Sequence, residues 1–349
     1  MGSPRQRIAS VLDRAKVLSG LLHARQRTRL PVLSVIAYHS IGNPGSGYLY
    51  DDDVIDATED EFRRQLEFIT RHFTVIDSDD LCAIMSGSPP PGNSLLITFD
   101  DGYRTCVDVA LPLLQEFGAT ATFFIATDYV AKRRLYWWDT IHYLVKSSPR
   151  SRIALDYPSA LVHDWAGDGP AARRQAITRL LTLVKSEPAM DIDRFLASLA
   201  SAAGVEWTRA IETRIADELI MTWQDVRTLR DAGMDIQSHT RTHRVLQTLT
   251  PDALAEELAG SSADLEREVG APARVVAYPV GYSIAEQPSI RTAVETAGYK
   301  IGFTNASGVN YLWRKPDRYD LRRIAMERGA PMTMFRAALA LPPLGYARR

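Results

Sequence analysis

The sequence is poor in cysteine. Cys82 and Cys106 are the only two, too few for a disulfide scaffold, and they read as reduced thiols of a cytosolic protein. No apolar run approaches the ~20 consecutive residues that span a bilayer. The longest apolar patch near the N-terminus, Val17-Leu18-Ser19-Gly20-Leu21-Leu22, is shorter and more interrupted than the core of a signal peptide. Neither charge is in excess: 41 Lys and Arg against 42 Asp and Glu leave a formal net charge of -1, so no basic field points to nucleic acid. No strand-like run is followed by a glycine-rich fingerprint, which leaves dinucleotide and P-loop folds without support, and no internal repeat is present. Histidine is also sparse, and none follows His243. These absences predict a cytoplasmic protein with no membrane span. Its oligomeric state is not legible.

What is present is an α/β rhythm. Pro31–Tyr38, Leu95–Phe99, Ala121–Ala126, Met234–Gln237, Arg274–Tyr278, Lys300–Thr304 and Leu321–Ala325 are short apolar or β-branched runs separated by helical patterns, with a further short run at Phe73–Ile76. Thr58 with Glu61 forms a capping-box signature, and Gly118, Gly233 and Gly298 follow helical segments as stop signals. A strand, a helix and a strand within about thirty residues form a βαβ unit and imply parallel pairing. Seven or eight such strands suit a closed or nearly closed (β/α) barrel, with an open doubly wound sheet as the runner-up. Between residues 147 and 220 the pattern turns helical, broken at Pro158, Gly167–Pro170, Pro188 and Gly204, and reads as a mostly helical insertion. The chain thus divides into an N-terminal helical extension (1–30), a barrel (31–330) interrupted at 147–220, and a C-terminal helix and tail (331–349). In the extension Ile8, Val11, Leu12, Ala15, Leu18 and Leu22 fall at helical spacing among many arginines. This reads as a helix packed on the domain, with peripheral membrane contact as its other use.

Polar groups stand at four strand ends: His39, Asp100-Asp101, His239 with His243, and the turn Tyr278-Pro279-Val280-Gly281. Parallel strands bring their C-terminal ends to one face, so these distant groups can converge. Two histidines four apart share one face of a helical turn, and with one carboxylate they make a three-ligand set for zinc with an open position for water. A cation also explains why two acids sit side by side. One can bind it while the other stays an anion able to take a proton from water.

Thr98-Phe99-Asp100-Asp101-Gly102 and Ser238-His239-Thr240-Arg241-Thr242-His243 resemble the first two motifs of the polysaccharide deacetylases, the NodB-homology or family 4 carbohydrate esterases, and Ala277-Tyr278-Pro279-Val280-Gly281 resembles the third. The resemblance covers roughly residues 31–146 and 221–330. It implies a distorted (β/α)7 barrel and metal-dependent deacetylation of a sugar. By motif position Asp101, His239 and His243 hold the metal, most simply Zn²⁺, with Co²⁺, Ni²⁺ or Fe²⁺ as substitutes. Asp100 is the general base, and the backbone N–H of Val280 helps stabilise the oxyanion. Two features depart from the family pattern. The third motif lacks an arginine near Ala277 and an aromatic at Val280, and no C-terminal histidine exists to act as general acid. Tyr38-His39-Ser40-Ile41 resembles instead the N-terminal histidine of the subgroup that deacetylates poly-β-1,6-N-acetylglucosamine, where motif order is circularly permuted.

The expectation is therefore a sugar deacetylase acting on a polysaccharide, oligosaccharide or lipid-linked precursor, in carbohydrate or exopolysaccharide metabolism. His39 serves as general acid, with Tyr278, Trp138 and Arg323 on the substrate side. Trp138 would give a sugar ring an aromatic wall or pack in the core; Arg322 or Arg323 would tune Asp100 or bind substrate. The competing classes are an amidohydrolase of small acylated substrates, a non-haem iron oxygenase, which also uses two His and one carboxylate, and a carbohydrate-binding pseudoenzyme.

Overall fold

The computed structural model describes residues 4–28, 30–164, 169–187 and 190–341. Its frame is seven strands: β1 (Val32–Tyr38), β2 (Ser94–Phe99), β3 (Thr122–Ile125), β4 (Asp235–Ser238), β5 (Val275–Ala277), β6 (Ile301–Ser307) and β7 (Leu321–Ala325). Each pairs in parallel with the next in sequence, and β7 returns to β1 with Ala37 opposite Ala325. The sheet is a closed seven-stranded parallel barrel, a distorted (β/α)7 fold. The distortion has a local origin. The first half of β2 pairs with the extra strand Thr74–Ile76 and only its last residues pair with β3, at Thr98↔Thr122. The start of β1 carries an antiparallel partner, Asn310–Tyr311. The Phe73–Ile76 run is thus a flank of the barrel, not a stave.

Strand alternation sorts side chains into two cores. Leu33, Val35, Leu96, Phe124, Ala277, Phe303 and Leu321 form one buried cluster that fills the barrel. Their neighbours Ile36, Ile97, Phe99, Phe123, Val276 and Ile324 join the larger cluster shared with the surrounding helices. Filling the interior leaves room for chemistry only beyond the strand ends.

Three elements differ from the sequence reading. The N-terminal extension is two helices, Pro4–Arg14 and Val17–Thr28, broken at Lys16, whose φ is 58°. The 147–220 segment opens with an antiparallel hairpin, Arg152–Leu155 with Leu161–Asp164, before its helices Gly169–Ser186, Ile192–Ala203 and Arg209–Leu219. The hairpin's first strand alternates exposed Arg152 and Ala154 with buried Ile153 and Leu155, a period of two that is too short to stand out in a helical stretch. The helical segment that Gly118 stops opens as a π-helical turn, Cys106–Ala110, and continues as Leu111–Glu116. Both cysteines are free thiols. Among the described residues no helix is long and apolar enough to cross a membrane. The tail expected at 342–349 lies outside the described residues.

Candidate metal centre

The ligand atoms of Asp101, His239 and His243 lie within 4.8 Å of one another at the C-terminal ends of β2 and β4. Both histidine Nε2 atoms stand 3.3 Å from Asp101 Oδ1. Yet this buried oxygen has no hydrogen-bond partner, and neither does Nδ1 of His243. Three donors that crowd together without bonding one another fit a shared cation. The tautomer of His239 fits as well: its Nδ1 donates to the Ala277 carbonyl at 2.8 Å, which leaves Nε2 with a free lone pair. Burial holds the imidazole of His243 below its ordinary pKa despite the opposing Asp101 carboxylate, so it is neutral as a ligand must be.

This convergence requires unusual backbone. In a regular strand Asp100 and Asp101 would point to opposite faces. Asp101 has φ 74° and Gly102 φ 100°, which turns the chain so that both carboxylates line one cleft. Thr240 (φ 63°), His243 (φ 51°) and Val280 (φ 62°) are also left-handed. Each such non-glycine residue costs on the order of 1–3 kcal/mol, and residues of this kind gather at functional sites.

Asp100 is built differently from Asp101. Arg323, from β7, grips it with a two-pronged pair at 2.7 Å and 2.7 Å. The guanidinium's remaining N–H groups go to Thr304 O, Thr98 Oγ1 and Asn305 Oδ1, so all its donors are used. Burial pushes the Asp100 carboxyl up; Arg323, and then His239 and His39, outweigh it and hold it below the ordinary carboxylate range. Arg323 is completely buried while Arg322 is exposed. Of the two arginines, Arg323 is the one that meets Asp100, and with its donors consumed it has none left for a substrate.

His39, at the end of β1, lines the same cleft of about 380 Å³ as Asp100, Asp101, His239 and His243. Its Nδ1 stands 2.8 Å from Asp56, whose carboxylate also accepts the His39 backbone N–H. Burial disfavours the imidazolium, but Asp56, with Asp101 and Asp100 behind it, lifts its pKa to about 9. No sequence pattern marks Asp56, which lies seventeen residues on in the short strand Ile55–Ala57, paired in parallel with Ser40–Ile41.

The remaining expected residues divide. Val280 lines the cleft within the left-handed turn Pro279–Gly281, where a Cβ on Gly281 would collide with Asn305. Trp138 lines it too, but is only 7% exposed: its ring leans on His243 at 4.6 Å and its Nε1 donates to Tyr103. Tyr278 lines the cleft as well, but the pleat turns its side chain out of the barrel, where it is 1% exposed and its hydroxyl donates to the Tyr319 carbonyl. Asp51 and Asp53 from the loop after β1, and Lys185 from the 147–220 segment, also reach the cleft and were not singled out by any motif.

A family model described as polysaccharide deacetylase matches residues 87–151 and 193–302, half of the chain. The chain belongs to the polysaccharide deacetylase family. The gap in the match falls on the hairpin and on helix Gly169–Ser186, so the match includes the later helices of the 147–220 segment. YxkH of Bacillus subtilis, which bears a provisional polysaccharide deacetylase name, is 28% identical over 117 residues, 34% of this chain, and the chain spans only 40% of that relative's length. The Streptococcus pyogenes deacetylase PplD, solved with acetate, superposes with a TM-score of 0.55 at 17% identity, over 85% of this chain and 92% of that one. IcaB from Ammonifex degensii gives 0.53 at 18% identity, over 89% and 97%. At these identities the solved structures speak for the fold.

Proposed function

We propose that this deacetylase is metal-dependent and removes the acetyl group from an N-acetylated sugar, with Asp101, His239 and His243 as ligands, Asp100 as general base and His39 as general acid. The single observation that carries the reading is the meeting, in one cleft, of a three-donor set with a bare carboxylate oxygen, a second carboxylate pinned by Arg323, and a histidine paired with Asp56. The donor set, two imidazoles and a carboxylate, suits Zn²⁺ best. A divalent ion held there supplies a Lewis acid that acidifies water and polarises the acetyl carbonyl.

The chain's own groups do the rest. Asp100, kept ionised by Arg323, takes the proton of the attacking water. The N–H of Val280, presented by its left-handed turn, donates to the oxygen that becomes an anion. His39, cationic through its pairing with Asp56, delivers a proton to the nitrogen as the C–N bond breaks. Acetate and a free amine leave, and solvent restores both groups. Depression of the Asp100 pKa makes it a weak base; water acidified by the cation lowers the demand on it. The absence of a C-terminal histidine and the position of His39 favour the permuted poly-β-1,6-N-acetylglucosamine type within the family. A mass-spectrometric screen for acetyl loss across acetylated polysaccharides, oligosaccharides and lipid-linked precursors tests the reading. Deacetylation of one class by the parent and none by His239→Ala supports it, and turnover that survives His239→Ala refutes the ligand assignment.

A further inference from the structure

Among the described residues eight large hydrophobic side chains stand exposed, and six of them, Ile8, Val11, Val17, Leu21, Leu30 and Trp313, lie in or beside the N-terminal helices. Each helix has two apolar faces. One packs inward: Ala9 and Leu18, with Leu12 beside them, meet Met334 and Ala337 of helix Met332–Ala340. The other faces outward at helical spacing, Ile8 with Val11 and Val17 with Leu21, and Val11 is 63% exposed.

Cations surround this outward stripe. Arg5, Arg7, Arg14, Lys16 and Arg27 are all exposed, and the one acid of Pro4–Thr28, Asp13, is taken by Arg336. Trp313, 53% exposed, is followed by exposed Arg314 and Lys315. Its turn is tied to the start of β1 by Leu312 N–H to Pro31 O and by the Val32↔Tyr311 pairing. The second helix reaches that same end of the barrel, where Arg25 donates to Val32 O and Asn93, just before β2, donates to Leu22 O, and the first packs on it and on helix Met332–Ala340.

We propose that this end of the protein docks on an anionic lipid bilayer, with Ile8, Val11, Val17 and Leu21 entering the headgroup boundary, the cations meeting anionic headgroups and Trp313 at the interface. Charge chooses this occupant over the others. A second copy applied face to face would set arginines against arginines. The chain's own tail ends in Arg348-Arg349, again the wrong sign.

The docking needs nothing from the catalytic reading. One consequence does rest on it: the metal centre is at the opposite, C-terminal end of the strands, about 23 Å away across the seven residues of β1. A docked enzyme therefore presents its cleft to the aqueous side, which favours a sugar chain reaching up from the surface over a sugar held at headgroup level.

Co-sedimentation of the full chain with phosphatidylcholine vesicles, with and without phosphatidylglycerol, tests the docking independently of turnover. The expected result is binding only to the anionic vesicles, weakened by salt. Each of Arg5→Glu, Arg7→Glu and Arg14→Glu should lower partitioning roughly five-fold or more. Val11→Asp with Leu21→Asp should lower it more than about ten-fold while the circular dichroism and thermal midpoint stay those of the parent. Equal sedimentation with and without anionic lipid overturns the proposal. So does binding that survives both sets of variants, a dimer dissolved by Val11→Asp in a protein that ignores vesicles, or binding that emerges only after removal of residues 342–349.

Discussion

Replacing Arg323 by methionine tests the inner half of the site most directly. Arg323 and Asp100 are both shut away from solvent, with side-chain exposures of 0% and 2%, so solvent screening does not discount their attraction. Methionine keeps much of the stem between Phe124 and Phe303, over whose rings the guanidinium lies at 5.9 Å, and removes only the charge and the fork. It leaves a buried carboxylate with only the nearby histidines, His239 and His39, to favour its ionised form. Removing one partner of such a pair costs roughly 3–5 kcal/mol. Two readouts follow. Urea unfolding at pH 7 should show a loss of that order, and Arg323→Met with Asp100→Asn should recover most of it, since both partners are then neutral. The second readout is pH. In the parent Asp100 is held below the ordinary carboxylate range, so its share of stability is present above the unfolded value near 3.9 and is lost only as pH falls through the depressed one. In Arg323→Met burial loses its main opponent and the carboxyl moves up, so the acid limb of kcat/KM should shift to higher pH by a unit or more. An Arg323→Met protein within about 0.5 kcal/mol of the parent, with its acid limb unmoved, would refute the reasoning.

The other predictions concern the remaining groups. His39→Gln should lower kcat by about 10²–10⁴ with little change in KM, and should erase the alkaline limb. That limb exists because His39, lifted to about 9, is cationic below that pH and loses its proton as pH rises through it. Asp56→Asn should move it to lower pH, and the charge of a bound cation should pull it below the value that NMR titration finds in metal-free protein. Chelation should abolish acetate release, added Zn²⁺ or Co²⁺ should restore it, and Zn²⁺ at 100 times its Kd should raise unfolding stability by about 2.7 kcal/mol. Asp139 is fully buried and accepts the Asp51 N–H and the Tyr103 hydroxyl. Burial, reinforced by Asp51, lifts its carboxyl to about 8, so it folds as the neutral acid and weakens the fold as pH rises from about 4 toward 8. Asp139→Asn should therefore raise the thermal midpoint more at pH 8 than at pH 5, as read by scanning calorimetry.

Much of the barrel was legible because a stave buried on both faces is a short apolar run wherever it occurs. The ends of those runs carried the chemistry in plain view, as Asp100-Asp101, His239 and His39. What could not be read was which groups meet. Arg322 and Arg323 are adjacent and identical; the pleat that puts Leu321 inside the barrel puts Arg323 there as well and leaves Arg322 outside. The same pleat turns Tyr278 outward behind Ala277. A two-residue period decides both cases, but its phase is set by the strands on either side in the barrel. Asp56 was invisible for another reason, since it reaches His39 only through the fold of the intervening loop.

The adjacency of the two acids shows what local sequence does and does not determine. An Asp-Asp pair on a straight strand serves two opposite faces and cannot build one site. It serves one here because Asp101 and Gly102 both take positive φ, and Gly102 does so against Met221, Ile125 and Val130, where a Cβ would press on the Met221 methyl at 3.4 Å. Met221 directly follows the 147–220 segment, and its N–H bonds Gly102 O while Leu219 O takes the Arg104 N–H. The strained turn is thus clamped by residues 219–221, which lie within the family match. The strain at Asp101 is of the same order, about 1–3 kcal/mol, as a few such hydrogen bonds can offset. By bonding Gly102 and Arg104 from behind, residues 219–221 support the turn that brings Asp100 to its arginine and Asp101 beside its histidines.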